Sequence, residues 1–362
     1  MMTGPWLLYG ANGYTGELVA RLAVAQGHHP ILAGRKADAV CALADELGLP
    51  RRLFSLDDPG HVDEGLEGMS LVLHCAGPFS RTSRPMADAC LRTRTHYLDI
   101  TGEVAVFEAL AARESEARDG GVTLLPGSGF DVVPTDCLAL HLKRRLPAAR
   151  RLALGFEALG RVSRGTALTA LEGLDRGGLV RRAGVLTPVP SAWRTRTIDF
   201  GQGKRKAITI PWGDVSTAWH STGIPDVEVY MAAPWTLRLL SRASRALGPL
   251  VTSGWLQGLL RQQILAGPRG PSPEERQRGR AWVWGEAEDQ EGRRAVSRLE
   301  TPEAYTFTAR ASLAAVERML AGEAPEGFQT PASAFGPDFV LGIEGVRRHD
   351  DLAEPAGPRL PT

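Results

Sequence analysis

Cysteine is scarce in this chain: there are four in 362 residues, Cys41, Cys75, Cys90 and Cys137, and no two stand at Cys-x-x-Cys spacing. That argues against a disulfide framework and a thiolate zinc site, and it fits reduced core thiols in a protein that needs no metal. No apolar run approaches the length of a membrane span, and no basic leader with a cleavage site opens the sequence, so the cytoplasm is the expected location. Charge of one sign is also missing. The formal net charge is +1, which removes any whole-protein attraction to nucleic acid, and the cluster Arg144, Arg145, Arg150 and Arg151 falls at a predicted helix end, where solvation and the helix dipole account for it. No nucleic-acid partner is expected.

What is present is an ordinary globular composition, 43% hydrophobic and 23% charged, long enough for about two domains with substantial cores. The organising stretch is Leu7-Leu8-Tyr9-Gly10-Ala11-Asn12-Gly13-Tyr14-Thr15-Gly16, an apolar strand that runs into three glycines spaced three apart. The amphipathic run Leu18, Val19, Leu22, Ala23 follows, and a second strand, Pro30 to Ala33, lies at βαβ distance. This context reads as a dinucleotide-binding turn. Gly10 allows the turn, Gly13 lets backbone approach a pyrophosphate, and Gly16 lets the helix pack close. The helix N-terminus, with Asn12, Tyr14 and Thr15 around it, offers N–H groups to the anion.

The second strand ends in Ala33-Gly34-Arg35-Lys36, where an NAD enzyme usually carries a carboxylate for the ribose 2′-hydroxyl. A guanidinium there suits the 2′-phosphate of NADP, so NADPH is the expected cofactor; the alternative for Arg35 is a solvated residue opening the next helix. Further strands are predicted at Arg52 to Leu56, Ser70 to Ala76, Thr95 to Ile100 and Val122 to Leu125, with helices at Asp38 to Leu47, Met86 to Arg94 and Glu103 to Arg118. The apolar Ser70 to Ala76 run suits a parallel strand buried on both faces. Ligands lie beyond the carboxyl ends of such strands, so Ala76, Gly77, Pro78 and Phe79, and later Gly129 and Phe130, are expected to border the cofactor. Asp131 can cap a helix with Pro134 in its first turn. Six strands alternating with helices predict a Rossmann-type doubly wound parallel sheet over 1–149.

Beyond residue 150 the pattern changes to short β-like runs with few helices, including a hairpin from Ala281 to Leu299. This predicts an α+β domain with a mostly antiparallel sheet over 150–301 for substrate and dimerisation. A closing helix, Ala304 to Leu320, and a C-terminal segment fill 302–347, and 348–362 reads as a flexible tail. Arg269 to Arg278 reads as an exposed loop. Trp235 to Leu265 is amphipathic and basic, which suits a helical pair on the sheet, a lid, or contact with a lipid or membrane surface.

Gly-Ala-Asn-Gly-Tyr-Thr-Gly at 10–16, Ala33-Gly34-Arg35, Gly77-Pro78-Phe79, Tyr97 to Glu103 and Gly129-Phe130-Asp131-x-x-Pro134-x-Asp136 together resemble the saccharopine dehydrogenase-like reductases. Within these the sequence is most similar to the bacterial trans-acting enoyl reductases. The resemblance extends through Ile210 to Asp214, Ser221 to Pro225 and Thr330 to Ala334. It implies NADPH and hydride transfer in a homo-oligomer, with reduction either of C=C bonds in acyl or polyketide intermediates or of C=N bonds in amino-acid-derived imines.

Candidates for the proton donor are His74, Asp99, Glu103 and Asp131 at the strand ends of the first domain, and Tyr230 and His220 in the second. Each has a structural alternative: a core histidine, a brace for the Thr101-Gly102 loop, a helix cap, a sheet residue. Trp193, Trp212, Trp219 and Trp235 suit an apolar acyl chain, or aromatic packing in a β-rich core. A polar imine substrate would want convergent arginines, and the second-domain arginines are predicted mostly on helices or loops. The expected substrate is therefore a small-molecule enoyl acyl group, free or carried on coenzyme A or a carrier protein. Imine reduction is the alternative, and a cofactor-binding protein without turnover the third reading.

Overall fold

The computed structural model describes residues 4–158, 160–172, 177–233 and 254–351. The chain divides into two compact units, Met1–Val133 with Tyr305–Phe339 and Pro134–Ala304 with Val340–Thr362. Most of the Trp235 to Leu265 stretch, including Trp235 itself, lies outside the described residues.

The first unit runs β1 (Trp6–Tyr9), α1 (Tyr14–Ala25), β2 (Ile31–Gly34), α2 (Ala37–Leu47), β3 (Arg51–Leu53), α3 (Pro59–Leu66), β4 (Leu71–His74), α4 (Phe79–Thr93), β5 (His96–Asp99), α5 (Val104–Ala111), α6 (Glu114–Asp119) and β6 (Thr123–Leu125). The strands lie parallel in the order β6-β5-β4-β1-β2-β3, and the short strand Gly327–Phe328 pairs with β6 at the edge. Every residue of β1 and β4 is buried, as a parallel sheet covered on both faces requires. The order reverses between β1 and β4, and the crevice at that switch point is where such sheets hold ligands.

Two helices differ from expectation. α4 begins at Phe79, not Met86, since the Glu103 carboxylate accepts the N–H groups of Phe79 (2.8 Å) and Ser80 (3.1 Å) and so caps it from across the sheet. The expected Glu103 to Arg118 helix is two helices, α5 and α6, broken at Ala112 and Arg113.

The second unit continues with α7 (Val133–Arg145), β7 (Arg151–Ala158), α8 (Arg164–Glu172), β8 (Gly178–Arg182), β9 (Val185–Val189), β10 (Thr195–Asp199), β11 (Lys204–Thr209), α9 (Asp214–Thr222), β12 (Asp226–Ala232), α10 (Gly254–Ala266), α11 (Pro273–Arg278), β13 (Arg280–Glu288) and β14 (Arg294–Pro302). Its mixed sheet has the order β10-β11-β12-β7-β13-β14, antiparallel except where β7 and β12 pair in parallel. α11 occupies half of the stretch read as a loop, because Ser272 and Glu275 form a capping box at its start.

The sheet curls on itself. A flat sheet would hold β10 and β13, four places apart, about 19 Å from each other, yet Arg196 meets Glu286 at 2.7 Å. Likewise the Arg298 guanidinium of β14 donates to the Asp199 carbonyl of β10 at 2.7 Å. The inner face so enclosed carries Tyr230, Trp284, Ile198 and Phe200. The outer face packs on α7, where Gly285 leaves room for Leu142 and Leu138.

The C-terminal segment also departs from the sequence reading. The helix Ala304–Leu320, here the return helix, and residues as far as Phe339 pack into the first unit from Tyr305 onward. Arg347–Asp350, whose last three residues fall in the expected 348–362 tail, is instead an edge strand on β14, held by Ser297 and His141 against Asp350. Its polar sequence hid it: as an exposed edge strand it shows no apolar alternation.

Candidate functional site

The glycine turn is built as three separate solutions to crowding. Gly10 has φ +81°, and a Cβ there would stand 2.8 Å from both the Ala76 Cβ and the Ala76 nitrogen, so conformation and space both demand glycine. Gly16 is buried, and a Cβ on it would overlap the Gly10 carbonyl oxygen; its bare backbone lets α1 sit against the end of β1. At Gly13 a Cβ would meet the Gly10 oxygen at 3.1 Å and the Cys75 oxygen only at 4.0 Å. Gly13 is also the N-cap of α1, and no side chain caps it. Gly13 is thus the least crowded of the three, and it stands at a helix N-terminus that no side chain caps, as backbone approach of a pyrophosphate requires.

Around this turn, Asn12, Tyr14 and Thr15 are partly exposed, and the Asn12 Oδ1 lies where a Cβ on Gly34 would touch it. Arg35 is exposed directly after β2. Ala76 and Pro78 are half-buried and Gly77 exposed, with the Ala76 carbonyl accepting from the Thr82 hydroxyl at 2.7 Å. Phe79, Gly129 and Phe130 are buried. The Phe79 N–H is committed to Glu103 and the Phe130 N–H to the Thr308 hydroxyl at 3.0 Å, so their amides brace the crevice. Glu103 and Thr308 were illegible in this role, because helical periodicity shows that a segment is a helix, not what it caps or covers.

The polar residues at the strand ends differ sharply. Asp99 is fully buried, and it accepts from the N–H groups of Thr101 and Gly127, each at 2.9 Å, and from the Tyr97 hydroxyl at 2.6 Å. Burial pushes its carboxyl up to about 6 against those hydrogen bonds; its oxygens tie the β5 loop to the β6 loop. Asp131, partly exposed beside Gly102, is likewise pushed up to about 6 by burial. His74 is fully buried among the rings of Tyr9, Phe79 and Tyr97, and neither ring nitrogen has a partner. Burial depresses its pKa to about 3, so it stays neutral and sealed.

In the second unit Tyr230 is buried and donates to Glu228 at 2.5 Å; burial first, then that bond, push its hydroxyl pKa up. His220, read from the sequence as a proton-donor candidate with a sheet position as its structural alternative, is exposed in the last turn of α9, which Gly223 ends in a left-handed conformation. The arginines are also placed differently from expectation: Arg182, Arg196, Arg205, Arg294 and Arg298 stand on strands, and Arg194 directly before one. Each is matched to an acid: Arg182 and Arg194 to Glu228, Arg196 to Glu286, Arg205 to Glu157, Arg294 to Glu288 and Arg298 to Asp351. A cavity of about 310 Å³ along the seam of the curled sheet is lined by two of these pairs, Arg196–Glu286 and Arg298–Asp351, and by Trp284.

Among the described residues no three His, Cys, Asp or Glu side chains are grouped to hold a metal ion, and no helix is long and apolar enough to cross a membrane.

Residues 6–125 match the family model for the saccharopine dehydrogenase NADP binding domain. That match assigns the glycine turn to NADP(H), which its open Gly13 and the exposed Arg35 fit. The chain is 28% identical over 213 residues to a mouse saccharopine dehydrogenase-like oxidoreductase, covering 51% of this chain and 50% of that one. It is 31% identical over 147 residues to a trans-acting enoyl reductase of Mycobacterium ulcerans, covering 38% and 35%. These matches therefore span half or less of each relative. Apo saccharopine dehydrogenase (L-Glu forming) from Saccharomyces cerevisiae superposes with a TM-score of 0.66 at 13% identity, covering 96% of this chain and all of that one; at that identity the likeness is one of fold.

Two outcomes are expected. Gly13→Val folds but loses NADPH binding, whereas Gly16→Val fails to fold, because a Cβ at Gly16 would overlap the Gly10 oxygen while one at Gly13 stands 3.1 Å from it; NADPH fluorescence titration and circular dichroism separate them, and normal binding by Gly13→Val would show that the loop is only a turn. His74 refuses a proton that the unfolded chain accepts below about pH 6.5, so it costs stability as pH falls, while Asp99 and Asp131, raised when folded, act with the opposite sign. Comparing His74→Leu with wild type by urea unfolding isolates the first effect: the difference should move by about 2 kcal/mol in the variant's favour between pH 7 and pH 5, and no movement would mean that the imidazole titrates normally.

Proposed function

We propose that the protein is an NADPH-dependent reductase of an α,β-unsaturated acyl group, taken as a free species or as a thioester on coenzyme A or a carrier protein. When bound, NADPH supplies the hydride. The chain's own residues hold it: the α1 N-terminus around Gly13 receives the pyrophosphate, and Arg35 pairs with the 2′-phosphate. Of the strand-end groups, Asp131 suits the proton at its carboxyl oxygens. It is partly exposed and its pKa lies near neutrality, whereas Asp99 is spent on three hydrogen bonds and His74 is sealed.

The observation that carries the acyl reading is the pairing of arginines in the second unit. A substrate with several carboxylates needs guanidinium groups left over for it, and here Arg182, Arg194, Arg196 and Arg205 are each already engaged by a carboxylate, the first two by Glu228 together and the others by Glu286 and Glu157. The similarity to a trans-acting enoyl reductase supports the same reading.

Arg35→Ala is expected to weaken NADPH binding about tenfold or more and leave NADH nearly untouched, since a charge-assisted hydrogen bond contributes about 1.5–3 kcal/mol; equal losses for both nucleotides would sink the assignment. The reaction itself is tested with purified protein, NADPH, unsaturated thioesters, free unsaturated lipids and pairs of 2-oxo acid with amine, read by loss of NADPH absorbance and by product mass. Turnover of the thioesters is the expected result. Turnover of the oxo acid and amine pairs alone would overturn it in favour of imine reduction.

A further inference from the structure

The return helix crosses the carboxyl end of the parallel sheet and touches both margins of the candidate cofactor crevice. At one margin Tyr305 meets the ring of Tyr14, the first residue of α1, edge-on at 5.1 Å and 86°. At the other, Thr308 accepts the Phe130 N–H at 3.0 Å, Ser312 donates to the Ser128 carbonyl at 3.3 Å, and Phe307 stands edge-on to Phe130 at 5.8 Å. Gly129 has no room for a Cβ, which would come within 2.9 Å of the Thr308 methyl. β1 and β6 are three places apart in the sheet, so the helix spans about 14 Å of strand ends.

The two contacts are unlike in kind. Phe307 and Ser312 are fully buried and Thr308 nearly so, which is core packing. Tyr14 and Tyr305 are only partly buried, so their pair contributes little apolar burial and rims the open side of the turn beside Gly13. An edge-to-face pair constrains orientation as well as distance. Tyr14 belongs to the turn of backbone that offers N–H groups to the pyrophosphate, so whatever orients its ring orients those donors.

We propose that Tyr305 is a positioning residue for the NADP-binding turn: acting through Tyr14 it sets the first turn of α1, so that the dinucleotide site is built jointly by the segment before Val133 and by the return helix. The proposal rests on the NADP reading of the glycine turn. It extends that site to a residue about 180 positions beyond the matched stretch 6–125.

The test uses the full chain and NADPH and NADH fluorescence titration at a temperature where circular dichroism shows each variant folded. Tyr305→Ala should weaken both nucleotides about five- to tenfold, because the pyrophosphate is common to them, in contrast to the NADPH-selective loss expected of Arg35→Ala. Tyr305→Phe should stay within about twofold of wild type, and Tyr14→Ala with Tyr305→Ala should bind no more weakly than Tyr14→Ala alone. If Tyr305→Ala does not fold, Tyr305→Leu takes its place. A folded Tyr305 variant that binds like wild type, a loss confined to NADPH, or single losses that multiply in the double variant would each overturn the proposal. Wild-type protein that binds neither nucleotide would overturn the NADP reading beneath it.

Discussion

The close approach of α1 to the end of β1 is the contact on which the rest of the first unit depends. It exists because Gly10 turns with positive φ against Ala76 and Gly16 presents bare backbone to the Gly10 carbonyl. The helix start is held at the end of β1, beside the switch point of the strand order, with no side-chain cap on Gly13, and Arg35 follows the neighbouring β2. A methyl group at Gly16 would separate helix from turn, and anion site, crevice and cofactor preference would go together.

Polar burial in this unit follows one rule, with one exception. Asp99 has a donor for each of its oxygens, so its burial knits the β5 and β6 loops into one rigid floor. Glu103 does the same for α4, replacing the missing cap on Pro78 with a carboxylate from a neighbouring loop. His74 breaks the rule: its nitrogens have only aromatic neighbours, and its neutrality is the consequence, because a charge there would have no partner and no water.

In the second unit the controlling feature is the curl that brings β10 against β13 and β14. Curling turns one face of the sheet inward, so its Arg and Glu side chains must pair with each other, as Arg196 does with Glu286 while stacking 4.7 Å from the Trp284 ring. The enclosed face thus carries arginines already engaged by carboxylates beside aromatic rings; it is on this that the proposal of an acyl substrate rather than an amino-acid-derived imine rests.

What the sequence determined by itself is what local spacing encodes. The glycine triplet, the alternation of buried strands with helices, the β13–β14 hairpin and the absent carboxylate after β2 all act within a few residues, and each is set by backbone sterics or periodicity. Only the tertiary structure decided what joins residues far apart. Glu103 caps α4 across the sheet, the return helix belongs to the first unit, Arg347–Asp350 is an edge strand, and β7 pairs in parallel with β12. The arginines show the difference most plainly: their number is written in the sequence, but their availability depends on which glutamates the curled sheet places opposite them, and that is a property of strand order, which no local pattern carries.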